Sequence, residues 1–176
     1  MQTDLFVFGT LKKGFPLHDE GLRGAQFIGL YCTQERFPLV IAGPWFAPMM
    51  FNEPGNGHKV RGELYRVHAF QLAALDQIES IGKPGNLRLK IAVEPVAKGN
   101  PVQAFVYMKS RDVAGGAYHS GLLEGYEDDR FIVPTARRTA HLLRVIRRPC
   151  RLLPVTSDPP RTADVMERAQ LVRDGP

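Results

Sequence analysis

Cysteine is scarce in this chain: only Cys32 and Cys150 occur among 176 residues. That excludes a disulfide scaffold, and both are expected to be free thiols of a reducing, cytoplasmic protein. Neither lies in a C-x-x-C pair, and the five histidines are scattered without ligand spacing, so no metal site is expected. No apolar run approaches the roughly 20 residues of a membrane span. The opening Met-Gln-Thr-Asp leads directly into a strand-like run, without the basic-then-apolar pattern of a signal peptide. Neither a membrane nor a targeting segment is therefore expected. Internal repeats are absent too.

A charge excess is missing where it would matter most. Residues 1–135 hold 14 basic and 14 acidic side chains, whereas 136–176 hold 9 and 4, so the whole net charge of +5 belongs to the last segment. A neutral body argues against a nucleic-acid partner. With 44% hydrophobic and 23% charged residues, the body suits one ordinary globular domain over 1–135. The remainder, 136–176, reads as a basic, proline-containing extension, partly disordered or packed on the surface. Its "ARRTAHLLRVIRR" has the pattern of a basic amphipathic helix, and "ADVMERAQLVRD" that of a short last one. A docking helix for an acidic partner or a membrane surface is the less favoured reading.

Along the body, "LFVF" (5–8) predicts a short buried strand. "AQFIGLYCT" and "FPLVIAG" predict two more. Then come a strand at 49–51, a turn at 53–57 and a strand at 60–67, an order that predicts a hairpin. "AFQLAALDQIESIG" predicts a helix over 69–81, stopped by Gly82 and Pro84. "LRLKIAVEPV" and "PVQAFVYMK" are strands joined by a turn at 98–101, and a short helix is expected around 119–125. Many strands and one central helix without βαβ alternation predict an α+β fold with a mixed or antiparallel sheet, curled into a small barrel.

One charge on the helix is misplaced. Leu72, Leu75 and Ile78 form the apolar stripe, and Glu79, seven positions after Leu72, falls only about 20° from it. Asp76 lies nearer the stripe's edge. A carboxylate there either reaches solvent, pairs with a neighbouring lysine or arginine, or is functional, because burying it bare is costly. A desolvated carboxylate is the type of group that can act as a general base near neutral pH. His18-Asp19 and His119-Ser120 contain triad residue types without a nucleophile setting. "GNGHKVRG" fits neither phosphate-loop spacing and reads as a turn.

Three ordered blocks carry a resemblance. "FVFGTLKKGFPLH" (6–18) resembles the Tyr-Gly-Ser/Thr-Leu signature of the gamma-glutamylcyclotransferase-like family. "PLVIAGPWFAPMMFNEPGNGHKVRGELYRV" and "LAALDQIES" are similar to its gamma-glutamylamine cyclotransferase branch, and the likeness spans about 5–135. It implies a small mixed β-barrel with a few flanking helices and a reaction without cofactor. A small-molecule gamma-glutamyl amide would be cyclised to 5-oxoproline with release of the amine. It further implies Glu79 as the acid/base residue, Phe8, Gly9, Thr10 and Leu11 as the substrate cradle, and Tyr107 as a pocket tyrosine. Phe8 departs from the family's usual tyrosine. Two other readings stand beside the enzyme: a non-catalytic binding module of the same fold, and an interaction protein acting through the arginine-rich extension.

Overall fold

The computed structural model describes residues 1–134; the expectations for 136–176, Cys150 included, lie outside them. Seven strands, two helices and a 3₁₀ turn form in the order β1 (Gln2–Val7), α1 (His18–Gly21), β2 (Gln26–Thr33), β3 (Leu39–Ala42), β4 (Ala47–Met50), β5 (Arg61–His68), α2 (Ala69–Ile78), β6 (Asn86–Pro95), β7 (Val102–Lys109) and the turn Arg111–Ala114. Five strands close on themselves in the order β1-β5-β2-β6-β7. All pairings are antiparallel except β1 with β7, where Leu5 opposes Phe105 in parallel. The α+β class and the mixed, curled sheet follow the sequence-based expectation.

The side-chain period of a strand is two, so a strand covered on both faces has no polar alternation. That explains "LFVF". Phe6 and Phe8 enter the ring's interior with Leu64, Val93, Ala104, Val106 and Met108. Leu5 and Val7 point the other way and pack with Leu17, Leu22, Leu75 and Ile78 of the helical layer. β7 is divided likewise, with Val106 and Met108 inward and Tyr107 on the helical side. The sequence position of the signature loop follows: β1 is clamped from both sides and its last residues emerge between two packed layers.

Three local expectations are overturned. The 49–51 strand does not form a hairpin with β5. β4 instead pairs with β3, from Leu39 opposite Met50 to Ala42 opposite Ala47, because the tight turn at Gly43–Phe46 (Phe46 N–H to Gly43 O, 3.3 Å) joins neighbours in sequence first. The turn after β4 is spent on Arg36 and Phe37: Gly55 N–H donates to Arg36 O, and His58 and Phe37 exchange backbone hydrogen bonds. No helix forms at 119–125, since that segment runs along β3: His119 N–H donates to Ile41 O and Leu123 N–H to Leu39 O, both at 2.8 Å. Finally, α2 ends at Ile78, three residues before the expected 81, for a reason that shapes the site. Short α1 was not anticipated. No helix among the described residues is long and apolar enough to cross a membrane.

Candidate active site

β1 delivers the chain into a turn in which the carbonyls are used and the amides are not. Gly9 O accepts from Lys12 N–H and Thr10 O from Leu17 N–H, both at 3.0 Å. Leu11 O accepts from His18 Nδ1 at 3.0 Å. The N–H groups of Gly9, Thr10 and Leu11 donate to no acceptor among the described residues. A row of such donors is costly to leave unfilled and suits an anion or a developing oxyanion. Gly9 has an unexpected second reason to be glycine. Its φ is not left-handed, but a Cβ there would lie 2.6 Å from Cγ of Pro48 on β4. The close approach is between two parts of the protein, with the two-stranded sheet pressed on the loop.

Opposite stands the end of α2. Leu75 and Ile78 are buried in the helical layer, as the stripe predicts. Glu79 is the C-cap, and Ser80 follows in the left-handed region at φ 56°. Ile81 N–H donates to Asp76 O (2.8 Å) and Ser80 N–H to Gln77 O (3.1 Å), which is the Schellman pattern with serine where glycine is usual. Ser80 O accepts in turn from Lys83 N–H and Asn86 Nδ2. The helix stops here because this cap satisfies its last carbonyls before Gly82 is reached.

Glu79 is neither bare nor turned to bulk water. Its side chain is 18% exposed, and Oε2 lies 3.3 Å from Lys109 Nζ, itself 18% exposed at the end of β7. Asp76 accepts from Tyr107 Oη at 2.8 Å and from the Arg88 guanidinium. Burial first, then the Asp76 bond, push the Tyr107 phenol above its ordinary value, so it stays neutral and donates into the helix. The Tyr107 ring, 5% exposed, serves as wall.

These pieces meet in one cleft, open to solvent and lined by Phe8, Gly9, Thr10, Leu11, Pro48, Met50, Glu79, Tyr107 and Lys109 among others. The structure thus brings together all six residues singled out from sequence, with Phe8 shared between the cleft and the ring's interior. Pro48, Met50 and Lys109 went unnoticed. Lys109 was within reach: it is two residues beyond Tyr107 on the same strand, and so on the same face. Lys12 of the signature was missed as well. Its buried ammonium donates to Tyr126 O (2.6 Å) and Glu127 Oε1 (2.8 Å), and sits 4.7 Å from the Phe15 ring centroid. It fastens the loop to a distant segment, away from the cleft.

The two histidine pairs are structural. His18 secures the Leu11 carbonyl, and His119 Nε2 donates to Gly43 O at 2.9 Å. No group of three or more His, Cys, Asp or Glu side chains suited to a metal occurs among the described residues. Cys32 is a half-buried free thiol.

A closed five-stranded ring with a small helical layer, and a cleft at their junction holding a carboxylate opposite unused amides, define a small α+β protein of a recognisable class. The family described as gamma-glutamyl cyclotransferase, AIG2-like, matches residues 5–125, and the chain belongs to it. It is 44% identical over 108 residues to a gamma-glutamylaminecyclotransferase of Bos taurus, which covers 58% of this chain and 63% of that protein. The corresponding Rattus norvegicus protein is 42% identical over 113 residues, covering 58% and 75%. The chain therefore spans under two thirds of the bovine relative's length. Among solved structures, an AIG2-like protein from Mus musculus aligns with a TM-score of 0.63 at 36% identity, covering 72% of this chain and 88% of that one.

Proposed function

We propose that this protein is a gamma-glutamyl amine cyclotransferase: it cyclises the gamma-glutamyl part of a gamma-glutamyl amine to 5-oxoproline and releases the free amine. The observation that carries the reading is the Glu79 carboxylate and the unused amides of Gly9–Leu11 on the lining of one cleft. Family membership and the names of the bovine and rat relatives point the same way.

The chemistry needs few parts. The substrate's α-ammonium cannot attack until it loses a proton, and Glu79 accepts it as general base. The freed amine attacks the γ-carbonyl carbon of the same molecule. Holding the two ends together supplies much of the acceleration, because the step is intramolecular. Negative charge grows on the γ-carbonyl oxygen, and the N–H groups of Gly9, Thr10 and Leu11 donate to it. The old amide C–N bond then breaks. The proton on Glu79 passes to the departing nitrogen. Glu79 then takes the second proton that the attacking nitrogen must lose to become the lactam N–H and hands it to the freed amine, which leaves as ammonium. Base and acid are thus one residue, and the proton count closes. Phe8 and Tyr107 provide apolar walls beside the glutamyl chain, and no cofactor enters the sequence.

Purified protein incubated with gamma-glutamyl-ε-lysine and other gamma-glutamyl amides should release 5-oxoproline. Glu79→Gln should abolish turnover while leaving the fold intact. A binding module of the same fold would hold glutamyl compounds equally well in both forms and release nothing. Inertness of well-folded protein across the substrate set would overturn the proposal.

A further inference from the structure

The Glu79–Lys109 pair supports one inference that rests on the cyclotransferase reading and extends it. Lys109 Nζ has two acceptors, Glu79 Oε2 at 3.3 Å and Glu79 O at 3.4 Å. Both are long for an ammonium, whose bonds to carboxylate are usually about 2.7–2.9 Å. An ammonium carries three donors, so this one is under-used. Buried Lys12 is the contrast, held at 2.6 and 2.8 Å on acceptors remote from the cleft. The root of Lys109 is fixed, since its carbonyl accepts from Asn52 N–H and its strand pairs with Asn86. A rigid base thus carries a loosely engaged cation into the cleft lining.

A gamma-glutamyl unit bears its ammonium and α-carboxylate on the same carbon. Any site that reads both must offer opposite charges as close neighbours, and Glu79 and Lys109 are such neighbours. We propose that Lys109 binds the α-carboxylate of the gamma-glutamyl unit and thereby restricts the enzyme to substrates in which that carboxylate is free. On entry the zwitterion divides the resident pair: its ammonium goes to Glu79 and its carboxylate to Lys109. Each charge exchanges one partner for another, so none is left buried and unpaired. The same contact puts the reacting nitrogen against Glu79. Amidation of the α-carboxylate, or its use in a peptide bond, removes the match.

The test compares a gamma-glutamyl amide with the 4-aminobutanoyl amide of the same amine, which lacks the α-carboxylate and cyclises to 2-pyrrolidinone by the same bond changes. Wild type should favour the glutamyl substrate in kcat/KM by roughly 10- to 100-fold, the range of one charge-assisted hydrogen bond. Lys109→Met should shrink that preference to within about threefold, and Lys109→Arg should restore most of it. If Lys109→Met slows both substrates equally and keeps the ratio, lysine acts only through Glu79 and the proposal fails. A wild type without preference also overturns it. Binding of 5-oxoproline against 2-pyrrolidinone, followed by NMR titration, reads the carboxylate contact without turnover. An inert wild type that binds 5-oxoproline more tightly, in a Lys109-dependent way, sinks the cyclotransferase reading and leaves the carboxylate site standing. Equal affinity for the two lactams overturns the carboxylate site whatever the turnover.

Discussion

The two walls of the cleft are finished to different degrees. On the α2 side the backbone donors are spent: Glu79, Ser80 and Ile81 all donate into the helix's last turn, and Ser80 O accepts twice. On the β1 side three successive amides, at Gly9, Thr10 and Leu11, donate to nothing among the described residues. A fold that satisfies its polar groups almost everywhere leaves them open where something else is to fill them. The saturated wall fixes the direction of one carboxylate. The open wall waits for an oxygen. A base needs a rigid frame and an oxyanion needs unspent donors, so the asymmetry is what the proposed chemistry requires.

The most damaging change to this pairing is Glu79→Gln. It keeps the shape and the Schellman cap but removes the proton acceptor. We expect kcat to fall by roughly 10²- to 10⁴-fold, the usual contribution of a general base, with a thermal midpoint near that of wild type. Gly9→Ala attacks the open wall. The added methyl meets Pro48 at 2.6 Å, so the loop or β4 must shift. A loss of about 1–3 kcal/mol in chemical denaturation is expected from such overpacking, accompanied by lower turnover. An unchanged stability would mean that the loop and the two-stranded sheet are not pressed together as described.

Ser80→Gly sharpens the comparison from the closed side. A non-glycine residue in the left-handed region costs about 1–2 kcal/mol, and glycine relieves it while losing more entropy on folding. A net gain of about 0.5–1 kcal/mol is expected, with activity lowered only if serine's stiffness orients Glu79. Smallest is Tyr126→Phe. The Tyr126 hydroxyl is fully buried with no hydrogen-bond partner among the described residues, so its removal should be neutral or slightly stabilising at neutral pH. Burial, with the charges of Asp128 and Asp129, pushes its phenol up to about 12. A pKa raised on folding lends stability that is intact below the unfolded value of about 10 and lost as pH rises through 12. Wild type should therefore lose more stability than the variant between pH 10 and 12, as followed by alkaline unfolding.

Local features were legible in the sequence where one stretch contained its own cause. "LFVF" reads as buried because no polar residue interrupts it, and both faces are indeed covered. Glu79 could be placed by helical angle even though the helix stops at Ile78, because the C-cap residue retains helical φ and ψ (−81°, 0°). Gly9 through Leu11 stood out as an apolar strand end. Long-range pairings were not legible. The parallel closure of β1 on β7 joins Leu5 to Phe105, and nothing local encodes it. The β4–β5 hairpin was wrongly expected because a good turn at 53–57 says that the chain reverses, without saying onto which strand. The Lys109 partnership depended on bringing the end of β7 to the end of α2. Ser80 was hidden because serine in a left-handed cap has no composition signal, and glycine two residues later looked like the stop.

The claim that the open amides and Glu79 form one working site is tested most directly by ¹⁵N–¹H NMR of the protein titrated with 5-oxoproline. The account predicts that the amide resonances of Gly9, Thr10 and Leu11 move most, as unused donors acquire an acceptor, while those of Ser80 and Ile81, already bonded within the cap, move little. Saturable binding that leaves Gly9–Leu11 unmoved and shifts another surface would contradict it.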